Sequence, residues 1–337
     1  MAFHVAVKFQ CFVLLLCLQL VSAEVPVAAA SRPIAKPGCP DKCGNVSIPY
    51  PFGIGDGCFL DEWFEIICNK SHLGYRKPTT VYGAYNVSDI SIPGGYMTTD
   101  VYTFTNCSSN KIKNYDYWSP LLYKFTISTT RNKFIVIGCN TYAYLKQRSN
   151  VYTATKCVTT CDTSEDAIDG SCAGGIGCCQ APIPAGLTAY GVQVAADDDL
   201  PPIKTCNYGF LAEANSFNFS SPYMKEFKNS GTGMVPVVID WSIGYETCEG
   251  VIYSKKSKLY ACGPNTDCIQ SSVSGYRCSC KNGYEGNPYF NDAKSGGCQG
   301  SYNCTCPTGT NPERRLDQKF VCTRTKRRLP VYVVVPL

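Results

Sequence analysis

Histidine is almost absent from this sequence, with two in 337 residues. His4 falls in an apolar leader, which leaves His72 alone, so neither a Ser-His-Asp triad nor a histidine-rich zinc site can be assembled. His72 reads as an ordinary surface residue. Phosphoryl transfer is excluded from these residues too, because no Gly-rich phosphate cover, His-Arg-Asp loop or Asp-Phe-Gly triplet occurs. Gly53-Ile54-Gly55 has no third glycine and reads as a turn. The carboxylate pair Asp61-Glu62 and the run Asp197-Asp198-Asp199 could imitate a glycosidase dyad, but the run sits beside Pro201-Pro202 and reads as a solvated loop. Methionine occurs four times and charged residues make up only 17%. No apolar run reaches the roughly 20 residues that cross a bilayer, and long helical periodicity is missing. The sequence predicts a protein that is not an enzyme and that needs no cofactor, metal or nucleic acid.

What the chain has in quantity is cysteine (23), tyrosine (23), glycine (29) and proline (21), a composition of cross-links and turns. A weakly basic start with Lys8 leads into apolar residues 9–20 and then Val21-Ser22-Ala23, so residues 1–23 read as a signal peptide cut after Ala23. Cleavage removes Cys11 and Cys17 and leaves 23 − 2 = 21 cysteines, which an oxidising compartment would pair as disulfides. Asn45, Asn69, Asn86, Asn106, Asn218 and Asn303 each have Ser or Thr two residues on, so all six are N-glycosylation candidates of a secreted protein.

The pattern is mostly β, in a small disulfide-rich, multi-module extracellular protein. Tyr123-Lys124-Phe125-Thr126-Ile127-Ser128 alternates with period two, residues 129–132 supply a turn, and residues 134–137 offer the second strand of a hairpin. Val235-Pro236-Val237-Val238-Ile239 is a further β-branched run that Pro236 confines to an edge or a strand start. After a flexible leader at 24–37, the cysteines fall into three groups of six, 39–139, 157–206 and 248–298, with Cys304, Cys306 and Cys322 left over.

The segment Cys43-Gly44-Asn45-Val46-Ser47-Ile48-Pro49-Tyr50-Pro51-Phe52-Gly53-Ile54-Gly55, with Cys58 and Cys68, resembles the galacturonan-binding domain of plant wall-associated receptor kinases. Gly138-Cys139-Asn140-Thr141-Tyr142-Ala143-Tyr144-Leu145, Gly177-Cys178-Cys179-Gln180 and Asp240-Trp241-Ser242-Ile243-Gly244 look like the same ectodomains. The resemblance implies a galacturonan-binding cysteine-rich domain at 38–140, a second cysteine-rich region at 141–246 and an epidermal growth factor-like (EGF-like) module at 247–298. It also implies the bridges Cys248–Cys268, Cys262–Cys278 and Cys280–Cys298. About 50 residues bury too little apolar surface to fold unaided, so such bridges substitute for a core.

Residues 299–322 look like the second half of another such module, in which Cys306 would bridge to Cys322. Cys304 would then lack its partner, unless it pairs between chains or the odd cysteine lies elsewhere. The acidic calcium ligands of that module type are absent. Residues 323–337 form a basic then apolar tail, either the start of an unfinished membrane span or a frayed strand; no span is expected within the chain.

The ligand that the resemblance implies is de-esterified pectin or oligogalacturonides in the cell wall, with other extracellular proteins as further partners. Lys42, Lys70, Arg76 and Lys77, together with Lys36, could meet uronate carboxylates, while Tyr50, Trp63 and Tyr75 could pack against sugar rings. Equally, the cations could be scattered surface charge and the aromatics core. A soluble decoy or co-receptor that binds peptides or other ectodomains through the EGF-like module is the alternative function.

Overall fold

The structure is a computed structural model that describes residues 32–70, 74, 76–80, 85–106, 115–119, 122, 124–147, 150–196, 206–227, 233–253, 260–271, 274–292, 294–300, 310–314 and 320–324. The chain divides into two units, Met1–Arg32 and Pro33–Leu337. Only Arg32 of the first is described, and every strand, helix and disulfide named here belongs to the second. The signal peptide expected at 1–23, Tyr75, His72, Asn303, Cys304, Cys306 and residues 325–337 lie outside the described residues, as do the side chains of Asn106 and Cys322.

The chain is mostly strand, as its composition predicts. It opens with a small hairpin of β1 (Lys42–Cys43) and β2 (Val46–Ser47). Next come β3 (Ile66–Lys70), β4 (Arg76–Thr80), β5 (Asn86–Ser91) and β6 (Tyr96–Tyr102), an antiparallel meander. Then come β7 (Phe104–Asn106), β8 (Tyr115–Trp118), β9 (Thr126–Ile127), β10 (Asn132–Ile137), β11 (Thr141–Gln147) and β12 (Asn150–Thr159). After β13 (Cys178–Ala181), β14 (Tyr190–Ala196), β15 (Asn207–Glu213) and β16 (Met234–Asp240) comes the short helix α1 (Cys248–Tyr253). Beyond it β17 (Thr266–Gln270) pairs with β18 (Tyr276–Cys280), β19 (Tyr284–Glu285) with β20 (Gln299–Gly300), and β21 (Thr310–Arg314) with β22 (Phe320–Arg324).

Three larger sheets result, ordered β3-β4-β5-β6-β16-β9, β13-β10-β15-β7 and β12-β11-β14-β8. β16 pairs with β6 along its whole length, so the first sheet joins residues on both sides of the boundary expected at 140. Likewise β20, just past the boundary expected at 298, pairs with β19 on its other side.

Pro236 sits where its missing N–H costs nothing. Val238 directs both its N–H and its C=O away from β6, toward Asn132 and Ser128, and the period of two gives Pro236 the same direction. β9 reaches only Ile239 and Asp240, so Pro236 faces an open edge.

The hairpin expected from residues 123–137 does not form. β9 pairs with β16, whereas β10 runs between β13 and β15 in another sheet. The reason lies in Phe134, Ile135, Val136 and Ile137, four consecutive residues with no exposed surface. A two-stranded hairpin would leave one face of that run in water, whereas in the packed sheet both faces are covered. Asn132, expected in the turn, is fully buried; its amide donates to the carbonyls of Ser128 (2.8 Å) and Val238 (2.7 Å) and accepts from the Val238 N–H (2.8 Å).

Among the described residues eight disulfides are present. Cys39–Cys58 and Cys43–Cys68 staple the first stretch, and Cys139–Cys161, Cys157–Cys179 and Cys172–Cys178 the middle. Cys139–Cys161 joins the first cysteine group to the second. Over 248–298, Cys248–Cys268, Cys262–Cys278 and Cys280–Cys298 connect first to third, second to fourth and fifth to sixth. Loops of this size contribute about 3 kcal/mol each through the unfolded chain's lost freedom.

The core beside the first sheet is aromatic. Phe52, Phe64 and Trp241 meet edge to face, with ring centroids 5.0, 5.5 and 5.9 Å apart, and Phe125 packs on Phe64 at 5.5 Å. Tyr289 lies 6.0 Å from Trp241, and Ile243 exchanges two backbone hydrogen bonds with Tyr276, so the stapled stretch 248–298 packs on this core.

Candidate carbohydrate-binding site

The cations named from the sequence fall on two faces of one sheet edge. Lys70 lies directly opposite Arg76 and Asn69 opposite Lys77 in the β3–β4 ladder. Cross-strand partners share a face and neighbours along a strand alternate, so Lys70 and Arg76 project on one side and Lys77 on the other. The Lys70–Arg76 side carries Ile66, Cys68, Pro78 and Thr80 further along, and thus becomes the core.

The β1–β2 hairpin is fastened to this side by Cys43–Cys68. Its turn lies directly on β4: Gly44, at φ +60°, has no room for a side chain because a Cβ would stand 2.5 Å from the Arg76 carbonyl oxygen. Lys42 in β1 is thereby brought to the same end of the sheet as Lys70 and Arg76. All three are exposed, and none forms an ion pair among the described residues. Like charges opposed on a ladder repel, so this end is primed for an anion.

Lys77 belongs to a different environment. Its face also carries the sequon residues Asn69 and Asn86, and Asp100, which pairs with Asn86. Burial pushes the Asp100 carboxyl above its ordinary value, and the charge of Lys77 acts in the opposite direction. The structure therefore brings together three of the four cations and separates the fourth.

The aromatic residues divide similarly. Tyr50 is a core residue, 8% exposed, stacked on Phe290 at 5.3 Å with the Lys36 amine 4.7 Å from its ring centroid. Lys36 is itself engaged, donating to the carbonyls of Gly57 (3.0 Å) and Phe59 (3.3 Å). Burial, and secondarily the charge of Asp61, pushes the Tyr50 hydroxyl up, so it stays neutral. A ring covered on both faces offers no sugar platform.

Trp63 is half-exposed, in the short 3-10 turn Glu62–Phe64 whose first N–H groups are capped by Asp61. Lys124 reaches over it, 5.7 Å from the Trp63 ring and 5.3 Å from that of Tyr245, while pairing with Asp61 at 3.4 Å. Tyr245 is 67% exposed. Sequence reasoning named Trp63 but missed Lys124 and Tyr245; Tyr245 comes directly after the Asp240–Gly244 motif, a signal that could have drawn attention to it. Among the described residues no cluster of His, Cys, Asp or Glu could hold a metal ion, and no helix is long and apolar enough to cross a membrane.

Stapled antiparallel sheets with cations at one edge and a disulfide-stapled C-terminal stretch packed against them define a cysteine-rich, mostly β protein of several modules. Residues 39–100 match the family model described as wall-associated receptor kinase galacturonan-binding. Over most of its length the chain is homologous to the wall-associated receptor kinases. It is 33% identical to wall-associated receptor kinase 2 of Arabidopsis thaliana over 86% of this chain and 40% of that protein. With wall-associated receptor kinase 4 it shares 34% identity over 80% of this chain and 35% of the relative, and with kinase 1, 31% over 94% and 40%. The chain thus spans about 40% or less of these relatives' length. No solved structure matches it.

Proposed function

We propose that this protein binds de-esterified galacturonan in the plant cell wall, without catalysis, through the end of the first sheet where Lys42, Lys70 and Arg76 converge. The observation that carries this is the coincidence of these three exposed cations, without an ion pair among the described residues, with the residues that match the galacturonan-binding family model. Uronate carboxylates along a regular chain meet the charges, and the rings of Trp63 and Tyr245 offer apolar faces for pyranose C–H groups, with Lys124 between them. Exposed pairs contribute about 0–1 kcal/mol each, so the cations act together. The attraction is screened over about 8 Å at physiological ionic strength.

The test is retention on polygalacturonate against highly methyl-esterified pectin at two salt concentrations. Wild type should bind the acidic polymer more strongly and release it as salt rises. Equal retention on both polymers, or indifference to salt, rejects the mechanism.

A second reading has its own observation. In the EGF-like module Ile252 and Tyr253 on α1 are 51% and 84% exposed, apolar surface suited to a protein partner in a decoy or co-receptor role. Pull-down of a peptide or ectodomain that is lost in Ile252→Asp with pectin retention unchanged would favour it.

A further inference from the structure

The third sheet, β12-β11-β14-β8, has a core side and an outer side of unequal expectation. Thr141, Ala143 and Leu145 of β11 are fully buried and Val192 and Val194 of β14 nearly so; Val192 and Val194 pack against Gly209 of the second sheet, where a Cβ would come within 2.9 Å of either. The outer side of such a sheet is ordinarily polar. Here it carries Tyr142 and Tyr144 of β11, opposite Val158 and Lys156 of β12. Val158 is 40% exposed. On the other flank Trp118 of β8 covers Gly191, with ring atoms 3.1 Å from where a Cβ would stand.

The two tyrosine rings meet edge to face at 5.7 Å. Exposed Lys156 extends across both, its amine 5.0 Å from the Tyr142 centroid and 5.7 Å from that of Tyr144. Lys156 has no ion pair among the described residues. Its charge is held against the ring faces, with no carboxylate partner among the described residues. An ammonium fixed beside half-exposed aromatic rings on a flat surface presents both halves of what an acidic sugar offers: a carboxylate for the amine and a C–H face for the rings.

We propose that this face, centred on Tyr142, Tyr144 and Lys156, is a second binding surface for acidic polysaccharide, outside residues 39–100. A long polyuronate that engages both surfaces gains effective concentration from the tether, whereas a short oligomer that reaches only one does not.

The experiment uses the full secreted chain and four variants: Tyr144→Ala/Lys156→Ala, Lys156→Arg, the first-sheet triple Lys42→Ala/Lys70→Ala/Arg76→Ala, and the two sets combined. The probe is long-chain polygalacturonate, with binding measured by titration and thermal unfolding measured alongside. Tyr144→Ala/Lys156→Ala should weaken binding about tenfold with little change in melting temperature, since both residues lie on the outer face. Lys156→Arg, which keeps the charge over the rings, should bind like wild type, and the combined variant should lose what the triple variant retains.

Wild-type affinity in Tyr144→Ala/Lys156→Ala, with the triple variant weakened, overturns the second surface and leaves the first standing. The converse pattern removes the first-sheet site and leaves the second. If Lys156→Arg falls as far as the alanine variant at unchanged stability, a positive charge over the rings does not carry binding and the proposal is wrong. A wild type that binds no polygalacturonate ends both.

Discussion

The side-chain amide of Asn287 donates a hydrogen bond to the Tyr50 carbonyl oxygen at 2.6 Å, across 237 positions of sequence. The same nitrogen lies 3.4 Å from the Ile34 carbonyl oxygen, and the Asn287 side-chain oxygen accepts from the Tyr289 N–H at 3.0 Å. Asn287 therefore shapes its own loop and fastens the disulfide-stapled module at 248–298 to the first cysteine-rich stretch. Phe290, three residues on, stacks on the Tyr50 ring. The module is part of a packed body, not a bead on a linker.

Asn287→Ala should accordingly destabilise the whole assembly. The residue is 7% exposed, and its loss leaves the Tyr50 carbonyl without this donor, at a cost of about 1–3 kcal/mol. Calorimetry should show a lower melting temperature together with a separate early transition of the module. An unchanged single transition would mean that the contact does not couple them.

Asn132 makes a comparable prediction inside the sheets. Its amide stands in for a strand neighbour at Val238, satisfying one N–H and two carbonyls in a fully buried place. Asn132→Ala should cost about 1–3 kcal/mol, because the buried Val238 N–H is left without an acceptor while the Val238 carbonyl keeps only the Ser128 N–H. Denaturant unfolding measures it, and a loss under about 1 kcal/mol would show that water or β9 replaces the amide.

The two faces of β4 should differ in their response to charge removal. Arg76→Ala, on the side shared with Lys42 and Lys70, should weaken polygalacturonate retention measurably, within the roughly threefold to fivefold that one exposed cation supports. Lys77→Ala, beside Asp100 and the sequon residues, should change retention less. Equal losses from the two variants would place the ligand around the edge and not on one face.

Asp100 sets a pH dependence whose sign is fixed by its surroundings. Burial raises its carboxyl above the unfolded value, so the folded state holds the proton more tightly. Its contribution to stability is full below the unfolded value and is lost as pH rises through the folded one. Asp100→Asn should remove that loss and gain stability relative to wild type between acid and neutral pH. Lys77→Ala, which removes the opposing charge while keeping Asp100, should deepen the loss. Urea unfolding across this range tests both, and a parallel profile for wild type and Asp100→Asn would refute the assignment.

Much of this protein is legible in one dimension. Turn formers and β-branched runs announce a strand-rich fold, cysteine spacing over 248–298 marks a compact module, and Pro236 marks an edge before any sheet is known. Each of these is a local property. The run at 134–137 is as visible, but periodicity reports which residues are apolar and not how many sheets cover them, so it suggests a hairpin that does not form. Tyr50 and Trp63 look alike as aromatic candidates in sequence. Only packing against Phe290 and Lys36 buries the first, and only the approach of Lys124 and Tyr245 makes the second part of a surface.

Cysteine and strand-forming residue types are thus set by the sequence itself, because turn, cross-link and β preferences act within a few residues. The tertiary structure alone decided that Lys77 parts from Lys70 and Arg76, that β16 completes a sheet begun at β3, and that Tyr142, Tyr144 and Lys156 converge. Those outcomes depend on strand register and on which distant segment covers each face, and both are settled only when the chain closes on its core.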